Sequence, residues 1–149
     1  MSTSDRLLLV LHVGFAIFTL GPLTAATMST PRYIRQGNVT VVRYLHRTTQ
    51  IYGLGTLGIF LFGLFLAEGA FSEAWLSVSM TLFVVSLALL LVVVRDQGHA
   101  VKLLTEREGA GEEKDAGDVA VAERGRIAAL SGIVALLWLV ILVLMVWNG

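Results

Sequence analysis

Histidines and two stripes of basic residues are the side chains of this sequence best suited to bind or move something. His12 is the one ionisable residue well inside an apolar stretch, and such residues are functional candidates because their burial must be compensated. Its imidazole can hydrogen-bond a ligand, handle a proton or coordinate a metal. It lies about 9 Å beyond Arg6 along a helix rising ~1.5 Å per residue. That puts it near one membrane face, where a structural hydrogen bond is the competing role. Arg43, His46, Arg47 and Gln50 recur at spacings of three and four, so a helix through them carries one polar stripe. Arg95, His99 and Lys102 do the same further along. At a shared depth the two stripes would form a cationic pocket for an anionic headgroup, a phosphate or the propionates of a porphyrin. The competing reading is that they only snorkel to the interface and fix orientation.

Other chemistry is excluded by what the sequence lacks. Without cysteine there is no disulfide, no thiolate nucleophile and no cysteine-based zinc or iron-sulfur site. No glycine loop for phosphate is present, no Ser, His and Asp set falls at one depth, and no metal site is expected. The charge-free stretches contain no acid, which disfavours proton-coupled transport by this chain alone. Two histidines could share a haem only if both lay at one depth on facing helices, and His46 with His99 is the one pair that qualifies.

The elements that position these residues are membrane spans. The chain is 56% hydrophobic and 15% charged, against roughly 25% charged for a soluble domain. Residues 7–29, 51–67, 74–94 and 127–147 are nearly free of charge, and a span needs about 20 such residues. We expect an all-α, integral membrane four-helix bundle forming one domain, with helices over about 7–29, 39–70, 74–104 and 121–147. Asn38 should cap the second helix. Gly21 and Pro22 should kink the first. The acidic, glycine-rich stretch 109–118 should make the loop 105–120 flexible. Small residues four apart, Gly21, Ala25 and Ser29 in the first helix and Ala128 and Gly132 or Ser131 and Ala135 in the fourth, allow close helix contact within the bundle or with a partner.

Every Lys and Arg except Arg6 falls in the first or third connection. The positive-inside rule then places those loops in the cytoplasm and both termini outside. Trp75 and Trp147 fall at the outer interface and Tyr33 and Tyr44 at the inner one, as aromatic belts require. The segment before Leu7 has no net positive charge, so the first stretch reads as a retained span and not as a signal peptide.

The run Leu11, His12, Val13 and Gly14, followed by Leu20, Gly21, Pro22 and then Pro31 and Arg32, resembles the opening of a family of bacterial, often actinobacterial, four-span membrane proteins with no established activity. A looser likeness extends to the copper-resistance D proteins and the HemJ-type protoporphyrinogen oxidases. The latter implies haem b held by the first-helix histidine, here His12, although the aromatic-rich segment that follows it there is missing. These observations together lead us to expect a non-enzymatic accessory or scaffold subunit of the bacterial cell membrane, without a cofactor. Its partners would be the bilayer and another membrane protein or a second copy, not nucleic acid. The rival expectations are a haem-binding redox protein using His12 and a component of a lipid or small-molecule transporter.

Overall fold

The computed structural model describes residues 2–67, 73–109 and 118–148. These fold into four helices: α1 (Thr3–Arg35), α2 (Val39–Ala67), α3 (Ala74–Gly109) and α4 (Val121–Asn148). The shortest has 28 residues, or about 42 Å at ~1.5 Å per residue, more than the ~30 Å hydrocarbon core. All four are long and apolar enough to cross a membrane. Of the loop 105–120 expected to be flexible, residues 110–117 lie outside the described residues, while 105–109 continue α3 as helix beyond the expected end at 104.

The ends of α1 lie beyond its apolar stretch because polar turns carry the helix on. Ser2 and Asp5 form a capping box: the Ser2 hydroxyl accepts from the Asp5 N–H, and the Asp5 carboxylate accepts from the Ser2 N–H, each at 3.1 Å, which satisfies two orphan donors. At the other end Gly37 adopts φ 70°. Its N–H donates to the Ile34 carbonyl and that of Asn38 to the Tyr33 carbonyl, the paired bonds of a Schellman stop. The Asn38 side chain then accepts from the Val41 N–H at 3.2 Å, so it caps α2 as its sequence position predicts. Gly37→Val should therefore cost about 1–2 kcal/mol, since a left-handed conformation is penalised by that much in residues with a Cβ. Thermal melting of the purified chain checks this.

Helix α1 runs unbroken through Pro22 and Pro31. Its main partner is α2, as α4 is for α3; the α1–α4 and α2–α3 seams are smaller, and α1 scarcely meets α3. Two antiparallel hairpins thus close into one bundle. Glycines of α2 set the closeness of the first hairpin. A Cβ at Gly55 would fall 3.0 Å from Thr19, at Gly58 2.9 Å from Phe15, and at Gly63 3.1 Å from His12. By contrast, a Cβ at Gly21 or Gly132 would meet nothing within 4 Å, and Ala25 and Ala128 are exposed. Gly21 and Ala25 of α1 and Ala128 and Gly132 of α4 therefore lie on the outer surface of the bundle, whereas Ser131 of the other α4 repeat is buried and the irregular glycines of α2 lie in the seam.

Packing differs between the two ends. Where the α1–α2 turn lies, hereafter the basic end, Ile34, Val42, Val93, Ala100, Leu104 and Ile127 are all fully buried. Towards the chain termini, the terminal end, the core thins to Ile59, Phe83 and Ile141 with partly buried neighbours. There the rings of Phe60 and Phe83 stack at 5.4 Å, and the helices leave a space between them.

Candidate functional site

That space is a cleft of about 570 Å³ walled by all four helices. Its surface is overwhelmingly apolar and includes Ala16, Phe60, Phe83 and Ile141. His12 stands in the wall, half-buried, on the α1 turn seated over Gly63. Its Nδ1 lies 3.0 Å from the Ile59 carbonyl. A carbonyl only accepts, so Nδ1 carries the proton and Nε2 of the neutral ring is left as an acceptor. Nε2 has no partner among the described residues. Trp75 and Trp138 also line the cleft, and the indole N–H of Trp138 is buried without an acceptor. The Ser79 hydroxyl is already committed to the Trp75 carbonyl at 2.8 Å.

A polar band crosses the bundle towards the basic end. Gln97 is wholly buried, and its Nε2 donates to the hydroxyls of Thr30 at 2.9 Å and Thr49 at 3.0 Å. Those hydroxyls give their own protons to the carbonyls of Ala26 and Leu45. They must therefore accept from Gln97, which fixes the amide orientation. One side chain thus ties α3 to both α1 and α2. The Gln97 Oε1 and the His46 Nδ1 are buried without partners. On the opposite side of α3, Asp96 is 1% exposed and accepts two bonds from Arg126, from Nε and Nη2, both at 3.0 Å. This forked geometry is the strong form of a carboxylate–guanidinium pair. His99 Nδ1 meets the Glu123 carboxylate at 2.8 Å, and Glu123 is also buried.

The two basic stripes are divided by this arrangement. Arg95 and His99 turn to the α3–α4 seam, where with Asp96, Glu123 and Arg126 they line a cleft of about 370 Å³. Acids thus stand among its bases. Arg43 instead reaches Thr105 of α3 at 3.4 Å, and the His46 ring lies against Gly98, 3.4 Å from where its Cβ would be. Arg47 and Lys102 are exposed. His99 is engaged by Glu123 of α4, so it does not face His46 across a common space. Gly21 and Pro22 lie outside the walls of both clefts.

Two functional-looking residues, Asp96 and Glu123, escaped sequence reasoning, which looked for acids only inside charge-free stretches. Both are buried because α3 and α4 stay packed beyond the hydrocarbon length, so their polar turns cover each other. The difference in contacts makes a ranking. Arg126→Ala should lower the melting temperature more than Arg95→Ala, because Arg95 is 3.7 Å from Asp96 with its side chain 70% exposed. Adding Asp96→Asn to Arg126→Ala should recover part of the loss, since it removes the abandoned buried charge.

Haem fits the cleft only in part. An imidazole whose Nδ1–H is held by a backbone carbonyl is oriented as axial ligands are. However, among the described residues no Lys or Arg lines the cleft to meet the propionates. The described lining thus supplies an axial imidazole but no partner for the propionates. The purified chain should accordingly show no stoichiometric Soret band after growth with haem; a band lost on His12→Ala would contradict this.

Fold and site together define a four-helix membrane protein with a histidine-bearing apolar cleft at one end and a polar band towards the other. No protein family, curated protein or solved structure matches the chain.

Proposed function

We propose that this chain is a non-catalytic membrane subunit that retains a lipophilic small molecule between its helices at the terminal end. The observation that carries this reading is the cleft itself. Its 570 Å³ falls within the range of roughly 300–1,000 Å³ typical of ligand pockets, whereas a bundle built only to pack would fill such a space. The test is thermal unfolding of the chain in nanodiscs with fractions of a membrane lipid extract. A fraction containing the ligand should stabilise the wild type, by about 2.7 kcal/mol at 100 times Kd. It should leave Ala16→Trp, whose indole fills the cleft, unmoved. Equal responses would exclude the cleft as the site.

A second reading, an accessory subunit docked on another membrane helix, is favoured by the uncovered small residues Gly21, Ala25, Ala128 and Gly132. Such surfaces let helix backbones approach closely. Gly132→Leu should then release a co-purifying protein without lowering the melting temperature of the isolated chain.

In either case we place the basic end in the cytoplasm, on the distribution of Lys and Arg. The absence of cysteine makes the test clean. Ser4→Cys should react with an impermeant maleimide in intact cells, and Glu106→Cys only after the membrane is opened. The reverse pattern would invert the topology.

A further inference from the structure

We propose that the cleft takes an uncharged lipid alcohol, a lipophilic molecule whose polar end is a hydroxyl donated to Nε2 of His12. This rests on the reading of the cleft as a ligand site and names the chemistry that site selects. Among the described residues no Asp, Glu, Lys or Arg lines it, so a carboxylate, phosphate or ammonium group would meet no counterion in that lining, an arrangement proteins avoid. The polar groups left to meet a ligand are few. Ser79 is spent on the Trp75 carbonyl. His12 gives its Nδ1 proton to the Ile59 carbonyl, so Nε2 offers an acceptor. A hydroxyl can give its proton to that nitrogen. A ketone, ester or ether oxygen would leave Nε2 without a proton donor.

Position supports the same class. His12 is nearer the chain-terminal ends of the helices, where a lipid hydroxyl would reach the headgroup layer, and Ala16, Ile17 and Leu20, further along α1 in the same lining, receive the tail. The ring cannot retreat easily, because its Cε1 is already closely opposed to Gly63. At the rim, Ile17 and Val146 are 63% and 75% exposed, so the molecule can enter sideways from the bilayer.

The test measures tryptophan quenching in nanodiscs by dibrominated C18 probes: the alcohol, its methyl ether, the carboxylate and the alkane. The full chain carries Trp147→Phe, since Trp147 faces outward and would report bulk lipid. The alcohol should quench saturably at a mole fraction about tenfold below the alkane and the ether, the discrimination expected of one net hydrogen bond. His12→Phe should bring the alcohol to the alkane value, and the ether comparison makes the same distinction without any change at position 12. Equal quenching by alcohol, ether and alkane would overturn the assignment while leaving the cleft a ligand site. Preference for the carboxylate would overturn it as well. Absence of saturable quenching by any probe would remove both the assignment and the ligand reading beneath it.

Discussion

Gln97→Glu should destabilise the bundle by about 3–5 kcal/mol at neutral pH, the range seen when a buried charge has no partner. The change is nearly isosteric, and the side chain it replaces is fully buried among Thr30 and Thr49. Both hydroxyls already donate to backbone carbonyls, so neither can solvate a carboxylate at no cost. The introduced acid should hold its proton in the folded state to a higher pH than in the unfolded chain, where the value is about 4.3. Above that value the folded state binds more protons than the unfolded one. Stability must then fall as pH rises, until the buried group itself ionises. Gln97→Leu provides the contrast. It removes two hydrogen bonds but also the unpartnered Oε1, and both threonines keep their backbone acceptors. The net cost should stay within about 1 kcal/mol. Thermal melts of both variants between pH 5 and 9, the range being chosen to bracket the titration of a buried carboxyl at about 8–9, check the pair. A pH-independent loss in Gln97→Glu, or an equal loss in Gln97→Leu, would contradict the account.

Gly58→Leu should cost about 1–3 kcal/mol, as overpacking at a close helix–helix contact does. A Cβ there would stand 2.9 Å from Cε1 and 3.1 Å from Cδ1 of Phe15. That ring packs against Phe62, with centroids 5.2 Å apart, so the insertion must either displace it from that contact or part the two helices. Separating α1 from α2 at this level would also disturb the His12 bond to Ile59, one turn nearer the terminal end. Gly21→Leu is the control. Nothing lies within 4 Å of the site a Cβ would take, and the isolated chain should melt within about 0.5 kcal/mol of wild type. A large loss at Gly21 and none at Gly58 would mean that the hairpin packs through another face.

Four charge-free stretches made the helices legible, because the bilayer imposes a length that composition alone reveals. The cap at Asn38 was legible for a similar reason, being a local hydrogen bond between near neighbours. What hydropathy could not show is how far the helices continue outside the hydrocarbon. Asp96, Gln97 and Glu123 lie there, and packing, not apolarity, buries them. One signal in α3 was available. Phe83, Ser86, Leu90, Val93, Gln97, Ala100 and Leu104 are all buried, and their spacing alternates three and four, the period of a packed interhelical seam. Reading that seam without regard to polarity places Gln97 inside. The division of the basic stripes was not legible, because the rotation of α3 relative to α2 and α4 decides whether His99 meets Glu123 or His46. Nor was the cleft, whose apolar walls are indistinguishable in sequence from a filled core. His12 was visible as a residue, but the carbonyl that fixes its proton lies on another helix.

Native mass spectrometry of the wild-type chain released from nanodiscs, beside Ala16→Trp, tests the central claim most directly. The account predicts that the wild type carries one adduct of defined mass, matching an uncharged lipid, and that the filled-cleft variant, equally folded by circular dichroism, carries none. The same adduct on both proteins, or a bare wild-type chain, would contradict it.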